Sequence, residues 1–396
     1  MHNPDPVVIV GAARTPMGGF QGDLKDATAP ELGAAALKAS LERAGVTPEA
    51  IDEVIFGCVL SAGQGQAPAR QAALAAGLPL ATGATTVNKM CGSGMKAAML
   101  AHDALLAGSA EVAAAGGMES MTNAPYLLDR ARSGYRMGHQ KVIDHMFLDG
   151  LEDAYDRGRL MGTFAEDCAE AYQFTRAAQD AFAIASLEKS QKAIADGSFE
   201  DEIVPVTVKT RKGEEIVRQD EQPPKARIDK IASLKPAFRE GGTVTAANSS
   251  SISDGAASLV LMRRSEAEKR GLTPLGVIAG HATHAQAPNL FPTAPIGAIE
   301  KLVQRTGWDL RDVDLFEINE AFAVVAMAAM RDLDLPDDKV NVHGGACALG
   351  HPIGASGARV LVTLLAAMRQ YDVRRGIASL CIGGGEATAM AIERSA

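Results

Sequence analysis

The sequence predicts a layered α/β fold made of two related halves, the first interrupted by a less regular insertion. Three observations predict it. Short apolar strands alternate with helices that carry an apolar stripe, as expected of sheets covered by helices. A turn with a candidate reactive residue opens a helix, and the returning strand ends in glycines, once over Cys91…Gly117 and again over Gly357…Gly385. Between the repeats, from about Glu119 to Pro236, the texture shifts to charged turns and a long helical stretch.

Taken in order, Val7–Val10 reads as a buried strand broken by Gly11-Ala12-Ala13-Arg14-Thr15-Pro16. The spacing of Leu32, Ala35, Leu37 and Leu41 predicts a helix over Ala29–Ala44. Ile51–Val59 is a strand, and Pro68–Ala76 a short helix ending near Gly77 and Pro79. Thr85–Val87 is extended, Asn88–Gly94 a turn and Met95–Ala107 an apolar helix, so Cys91 sits where a helix begins. Glu111–Ala115 is the next strand, stopped by Gly116-Gly117. Within the insertion a helical segment covers Ala165–Asp196, and Lys209–Glu215 is a charged run. Gly255–Met262 fits strand and helix periodicity alike.

The second half repeats the plan. Strands are predicted at Leu275–Ile278, Val313–Ile318, Val340–Val342 and Gly376–Cys381, and helices at Gly297–Gln304, Ala321–Met330 and Ala358–Arg369. This parallel favours two related α/β halves over one continuous sheet, with both site turns brought to a shared boundary.

At 396 residues the chain is long enough for two or three compact units around a large core. Its 47% hydrophobic and 22% charged residues exclude a disordered chain. A formal net charge of -9 argues against a broad basic surface for nucleic acid or an anionic membrane. No apolar run reaches membrane-spanning length. Met1–Pro6 leads into the first strand without the pattern of a signal peptide. The five cysteines, Cys58, Cys91, Cys168, Cys347 and Cys381, are widely spaced, lack a CxxC pair and make no disulfide framework. A reducing cytoplasm is the expected location.

Four segments carry chemistry. Asn88-Lys89-Met90-Cys91-Gly92-Ser93-Gly94 sets a thiol against backbone N–H groups at a helix start, where those donors and the helix dipole favour thiolate. Gly350-His351-Pro352-Ile353-Gly354-Ala355-Ser356-Gly357 puts an imidazole, able to take a thiol proton, beside a glycine-rich turn. Cys381-Ile382-Gly383-Gly384-Gly385 sets a second thiol at the end of an apolar strand. Asn319-Glu320-Ala321-Phe322 follows another strand, and Asn319 fits a helix cap as well as a site. Each segment alone also suits packing or capping. Cys58, Cys168, Cys347 and His343 read as structural, and the pair His281 and His284 lacks a third ligand pattern, so no metal is expected.

Together and in this order, the four segments resemble the signatures of the thiolase family, in its short-chain acetyl-CoA acetyltransferase branch, and the resemblance covers essentially the whole chain. It implies a five-layered α-β-α-β-α fold of two homologous halves with an inserted loop domain. Residues 1–118 would begin the N-terminal half, 119–248 form the loop domain over the coenzyme A site, 249–273 complete that half, and 274–396 form the C-terminal half. By the same resemblance Cys91 is the acylated nucleophile, His351 activates it, and Cys381 is the acid/base at the carbon and the leaving thiol. His351 with a water held by Asn319 would form one oxyanion hole, and the N–H groups of Cys91 and Gly383 the other.

The substrates implied are acetyl-CoA, acetoacetyl-CoA or another short 3-oxoacyl-CoA, and free CoA, with no separate cofactor. Leu151, Met161, Phe238 and Ala247 would wall the acyl-CoA path, with Ser250 touching the pantetheine arm. Leu160 stands where the short-chain pattern has histidine, and Phe291 lies in a loop that departs from the family's. The nucleotide-contacting arginine falls near Pro223, leaving Lys225 or Arg227 to restore the charge. Family members are dimers or tetramers, so a homotetramer built as a dimer of dimers is expected. The runner-up is a broader 3-ketoacyl-CoA thiolase of fatty-acid or aromatic-acid degradation. A decarboxylating ketosynthase would need a second histidine where Cys381 stands, and a noncatalytic lipid-binding relative would have no use for both thiols, His351 and Asn319.

Overall fold

The computed structural model describes residues 4–211 and 213–394. The first three residues of the Met1–Pro6 lead, and Lys212 of the charged run, lie outside the described residues. The first half comprises β1 (Val7–Arg14), α1 (Ala29–Ala44), β2 (Glu53–Gly57), α2 (Pro68–Ala75), β3 (Gly83–Val87), α3 (Ser93–Ala107), β4 (Val112–Ser120) and, after the insertion, β5 (Ser253–Arg263). Local chemistry sets the ends of α1: Thr28 and Glu31 form a reciprocal capping box, and Gly45 closes it with φ 66°. Within the insertion lie α4 (Met161–Tyr172) and α5 (Arg176–Ala195). The second half runs through β6 (Gly276–Ala285), α6 (Ala294–Thr306), β7 (Leu315–Ile318), α7 (Ala323–Asp332), α8 (Ile353–Gln370), β8 (Arg375–Ile382) and β9 (Glu386–Glu393).

The internal repeat is visible in the strand order. In the first half the order is β3-β2-β4-β5-β1, parallel as far as β4 and antiparallel from there. The second half reads β7-β8-β9-β6 with the same directions, and its missing outer strand is reduced to a parallel bridge between Phe316 and Val340. Even the irregularity repeats: the register slips between Ile9 and Gly11 in β1, and between Ile278 and Gly280 in β6.

The halves are nevertheless not separate sheets. β1 and β6 pair antiparallel through Val8↔Val277 and Ile9↔Gly276, joining these nine strands into one hydrogen-bonded path, with the short strand Gly18–Gly19 paired to β5 off it. Each would otherwise present an unpaired edge, and pairing the two satisfies both.

Alternation of side chains along the strands creates the layers. Val8, Val54, Phe56, Ala114 and Val260 pack against Leu32 and Leu37 of α1 and Ala72 of α2. The opposite faces, with Ile9, Ala113 and Leu261 in one half and Ala378, Leu380 and Met390 in the other, enclose Met95 and Ala98 of α3 and Leu361 and Leu364 of α8. Phe316, Ile377 and Ala389 lie under Ile299 of α6 and Ala326 of α7. Helix, sheet, helix, sheet, helix: five layers, with α3 and α8 in the middle. Every residue of α8 from Ile353 to Met368 is buried, as its central place requires.

Several boundaries differ from the sequence reading. β4 continues through Gly116 and Gly117 to Ser120. These glycines do not stop the strand; they permit contact, since a Cβ on Gly117 would lie 2.0 Å from the Gly354 carbonyl oxygen. α8 begins at Ile353, directly after Pro352, and not at Ala358. The helical stretch over Ala165–Asp196 is two helices, separated where Gln173 turns to φ 55°. Gly255–Met262 lies in β5, and a further strand, β9, follows the glycine turn Gly383–Gly385. Buried charge pins the insertion to both halves: Arg14 of β1 bonds Glu202 at 2.5 Å and Asp220 at 2.7 Å, while Ser186 of α5 bonds Glu320 at 2.7 Å.

Candidate active site

α3 and α8 meet at their N-terminal ends, and glycine makes the meeting possible. A Cβ on Gly94 would fall 2.7 Å from the Ala358 nitrogen, and one on Gly357 would fall 2.3 Å from the Met95 nitrogen. Bulkier residues would separate the two starts, and with them Cys91 and His351. Met90 adopts φ 48°, a left-handed conformation uncommon for methionine, immediately before the thiol. The Lys89 N–H donates to Ser93 Oγ at 2.8 Å and Ser93 Oγ donates to the Met90 carbonyl at 2.6 Å, which holds that bend. Burial pushes the Cys91 thiol up to about 11, against the opposing pull of the Gly383 and Cys91 backbone N–H groups on its sulfur. Those two donors, one from each half, are the pair expected to face a developing oxyanion.

His351 is 6% exposed, and burial, reinforced by the Arg359 charge, lowers its imidazole to about 3, so the ring is neutral. Nδ1 lies 2.5 Å from Ser356 Oγ, which donates to the Pro352 carbonyl at 3.0 Å. An Nδ1–H donating to that hydroxyl leaves Nε2 with a free lone pair, the tautomer that a base requires. That Nε2 is buried and has no partner. Asn319 is fully buried, with its Nδ2 3.4 Å from Nδ1 of His351 and its Oδ1 3.4 Å from an Arg359 nitrogen. Arg359 also pairs with Glu317 at 3.3 Å, and burial raises that carboxyl to about 8.

Cys381 is the penultimate residue of β8, 1% exposed, in an apolar cluster with Phe164, Phe291 and Phe322. Burial raises its thiol well above the ordinary value, and charge on the nearby Cys91 sulfur would raise it further. The two sulfurs therefore share one electrostatic environment although they come from opposite halves. Glu119, fully buried at the end of β4, accepts N–H groups from Val59 and Leu60 at 3.0 Å and from Gly354 at 2.9 Å. It ties the first half to the start of the helix behind His351.

A cavity of about 520 Å³ opens beside these groups, between Asn88, Met90, Gly383 and Gly384 on one side and His145, Leu148, Tyr155 and Met161 of the insertion on the other. Of the residues expected along the acyl-CoA path, Met161 lines it, and Leu151 packs with Met90 and Cys91. Phe291 and Phe238 lie in the aromatic cluster around Cys381, both against Phe322. Ala247 packs away from it with Leu187, Ile231 and Ala348. The hydroxyl of Ser250 donates to the Ala321 carbonyl at 2.9 Å. Lys225 is engaged by Glu221 at 2.7 Å and Asp23 at 3.2 Å, and Arg227 by Asp229 at 2.9 Å. Neither cation lines the cavity.

Sequence reasoning missed Glu119, Ser356, Arg359 and Glu317 as supports of the site. The signal was present for two of them: Arg359 interrupts an apolar helix and Glu317 an apolar strand, and charges in such places need partners.

Comparison with known proteins agrees with this geometry. Residues 7–265 match the family model for the thiolase N-terminal domain and 272–394 that for the thiolase C-terminal domain. The chain belongs to the thiolase family. A Cupriavidus necator protein named acetyl-CoA acetyltransferase is 51% identical over 98% of this chain and 99% of its own length. A Staphylococcus aureus thiolase relative, named probable acetyl-CoA acyltransferase, is 47% identical over 98% of this chain and 99% of its own. The crystal structure of the Bacillus anthracis acetyl-CoA acetyltransferase superposes with a TM-score of 0.96 at 42% identity, covering 98% of both chains. The thiolase fold thus extends over the whole described chain.

Proposed function

We propose that this thiolase is an acetyl-CoA C-acetyltransferase, carrying out the reversible Claisen condensation of two acetyl-CoA molecules to acetoacetyl-CoA and CoA through an acetyl group on Cys91. The observation that carries the reading is the approach of two thiols from opposite halves, with the Cys91 and Gly383 N–H groups converging on the first and the unpartnered Nε2 of His351 beside the helix start that packs against the one after Cys91. Full-length similarity to proteins named acetyl-CoA acetyltransferase supports the substrate.

In the first step Cys91 Sγ gives its proton to Nε2 of His351 and bonds the acetyl carbon. The carbon–sulfur bond to CoA breaks, and the departing thiolate takes the proton of Cys381. Acyl-Cys91, imidazolium and a Cys381 thiolate remain, and covalent capture has divided one hard exchange into two easier ones. In the second step that thiolate takes a methyl proton from a second acetyl-CoA, and the carbon attacks acyl-Cys91. The Cys91 sulfur leaves and recovers its proton from His351, so every group returns to its starting state. The Cys91 and Gly383 N–H groups face the oxygen of the acyl-enzyme, and His351 Nε2–H with a water on Asn319 faces the enolate oxygen. Donors so placed contribute a few kcal/mol each to the transition state.

Residues 119–248 act as the inserted loop domain over the CoA path, between 1–118 and 249–273 of the N-terminal half, with 274–396 as the C-terminal half. The working enzyme is a homotetramer, a dimer of dimers, in the cytoplasm, where two catalytic thiols stay reduced. Among the described residues no helix is long and apolar enough to cross a membrane.

The second reading is a broader 3-ketoacyl-CoA thiolase, favoured by the apolar Leu160 and by the name of the Staphylococcus relative. A series of kcat/KM values from acetoacetyl-CoA to longer 3-oxoacyl-CoAs separates the two, since each buried methylene contributes about 0.8 kcal/mol. A steep maximum at acetoacetyl-CoA is expected; values that rise with chain length would replace the first reading with the second.

A further inference from the structure

On the seam between the halves, His102 and Asp103 of α3 meet His281 of β6. His281 Nε2 lies 2.9 Å from Asp103 Oδ1 and 3.2 Å from His102 Nδ1, and His102 Nδ1 lies 3.0 Å from the same Asp103 oxygen. Three ligand-type atoms thus form a nearly equilateral triangle, and among the described residues this is the one cluster of its kind. Zinc bound at about 2.0–2.1 Å in a tetrahedron separates its ligands by roughly 3.3 Å, close to the edges of this triangle.

We propose that His102, Asp103 and His281 form a binding site for zinc or a similar borderline divalent cation that clamps the two halves together. Two imidazoles and one carboxylate suit such ions, whereas magnesium and calcium prefer all-oxygen sites. The Asp103 carboxylate holds the His281 proton on Nε2, so a bound ion must displace it to Nδ1, which is buried without a partner. The Lys96 charge nearby weighs against any cation. Both histidines line a cleft of about 820 Å³ with Arg264, Arg305 and Trp308, which leaves room for water or a small anion as fourth ligand.

The placement gives the clamp work to do. The sheets join through only two residue pairs of β1 and β6, and His281 lies four residues beyond the last of them in β6. His102 is nine residues into α3, about 14 Å along the helix from the Cys91 end, so the ion would act on cohesion and not on acyl transfer. The sequence pair His281 and His284 does not chelate; His284 Nε2 is bonded to Gln286 at 3.0 Å instead.

The test is zinc titration of the metal-stripped, full-length protein against a chromophoric chelator, for the parent and for His281→Gln, His102→Gln and Asp103→Asn. Cys91 and Cys381 are present in all four, so zinc held by those thiols is common to the curves. The parent is expected to take up one more equivalent per chain than either histidine variant. Loss of a ligand should weaken that site by more than the roughly 10–100-fold typical of losing an outer-shell partner. Zinc should also raise the melting temperature of the parent more than that of the variants, because it binds the folded state. Asp103→Asn, at an exposed position, keeps the test valid where a histidine variant folds poorly. Equal stoichiometry and equal thermal response across the set, or uptake by the parent only at millimolar zinc, overturns the proposal.

Discussion

Replacing Glu119 by alanine tests how the fold holds its site. Its carboxylate accepts three buried N–H groups, from Val59, Leu60 and Gly354. Leaving each without an acceptor costs about 1–3 kcal/mol, roughly 3–9 in all. Against this stands the cost of the buried charge, since burial raises the carboxyl from 4.5 to about 7. That gap corresponds to about 3 kcal/mol of destabilisation once the group is ionised in the folded protein. The sign follows from proton linkage: the folded state holds this proton longer than the unfolded chain, so the Glu119 contribution falls as pH rises from about 4.5 to about 7 and is constant above. Glu119→Ala should therefore lower stability at both ends, and by about 2–3 kcal/mol more at pH 5 than at pH 8. For a chain of this length that difference is about 3 °C in melting temperature. Matched thermal scans of parent and variant at the two pH values read it directly. A variant as stable as the parent, or a deficit that grows with pH, refutes the reasoning.

Other outcomes follow from the same geometry. Cys381→Ala should still form an acyl-enzyme from acetyl-CoA but lose carbon–carbon bond turnover by at least about 100-fold, as expected for removal of an acid/base group; rapid-quench measurement of both steps checks it, and normal condensation contradicts it. Gly117→Ala places a methyl carbon 2.0 Å from the Gly354 oxygen, so the start of α8 must shift. That should cost about 1–3 kcal/mol and lower kcat more than it changes KM; unchanged kcat in a folded variant would count against the account. His343, buried and lowered to about 4, is neutral in the fold, so its contribution is complete above about 6.5 and is lost as pH falls toward 4. Thermal scans of His343→Gln between pH 7 and pH 4.5 should show a shallower loss on acidification than the parent.

Much of the fold was legible because local signals agreed with tertiary ones. The apolar stripe and capping box delimit α1 at the same residues that the periodicity marks. The repeat was legible as well, since both site turns are written in glycine and small residues. The misread end of β4 has a physical cause: a glycine can end a strand or allow a close contact, and only the neighbour decides which. Gly116 and Gly117 continue β4 because β5 and α8 press against them. Nor could the sequence show that β1 and β6 pair, because an edge strand carries no mark of its partner. In the site, the candidate reactive groups stood in recognisable motifs, whereas the contacts of Glu119 come from residues more than 50 positions away on either side. The surface partners of Lys225 and Arg227, Glu221 and Asp229, likewise became visible only in the fold.

The most direct measurement is peptide mass spectrometry after a brief exposure of the protein to acetyl-CoA alone, for the parent, Cys91→Ala and Cys381→Ala. The account predicts an acetyl group on Cys91 in the parent and in Cys381→Ala, and none in Cys91→Ala. Stable acetylation of another residue, or turnover by Cys91→Ala, would contradict it.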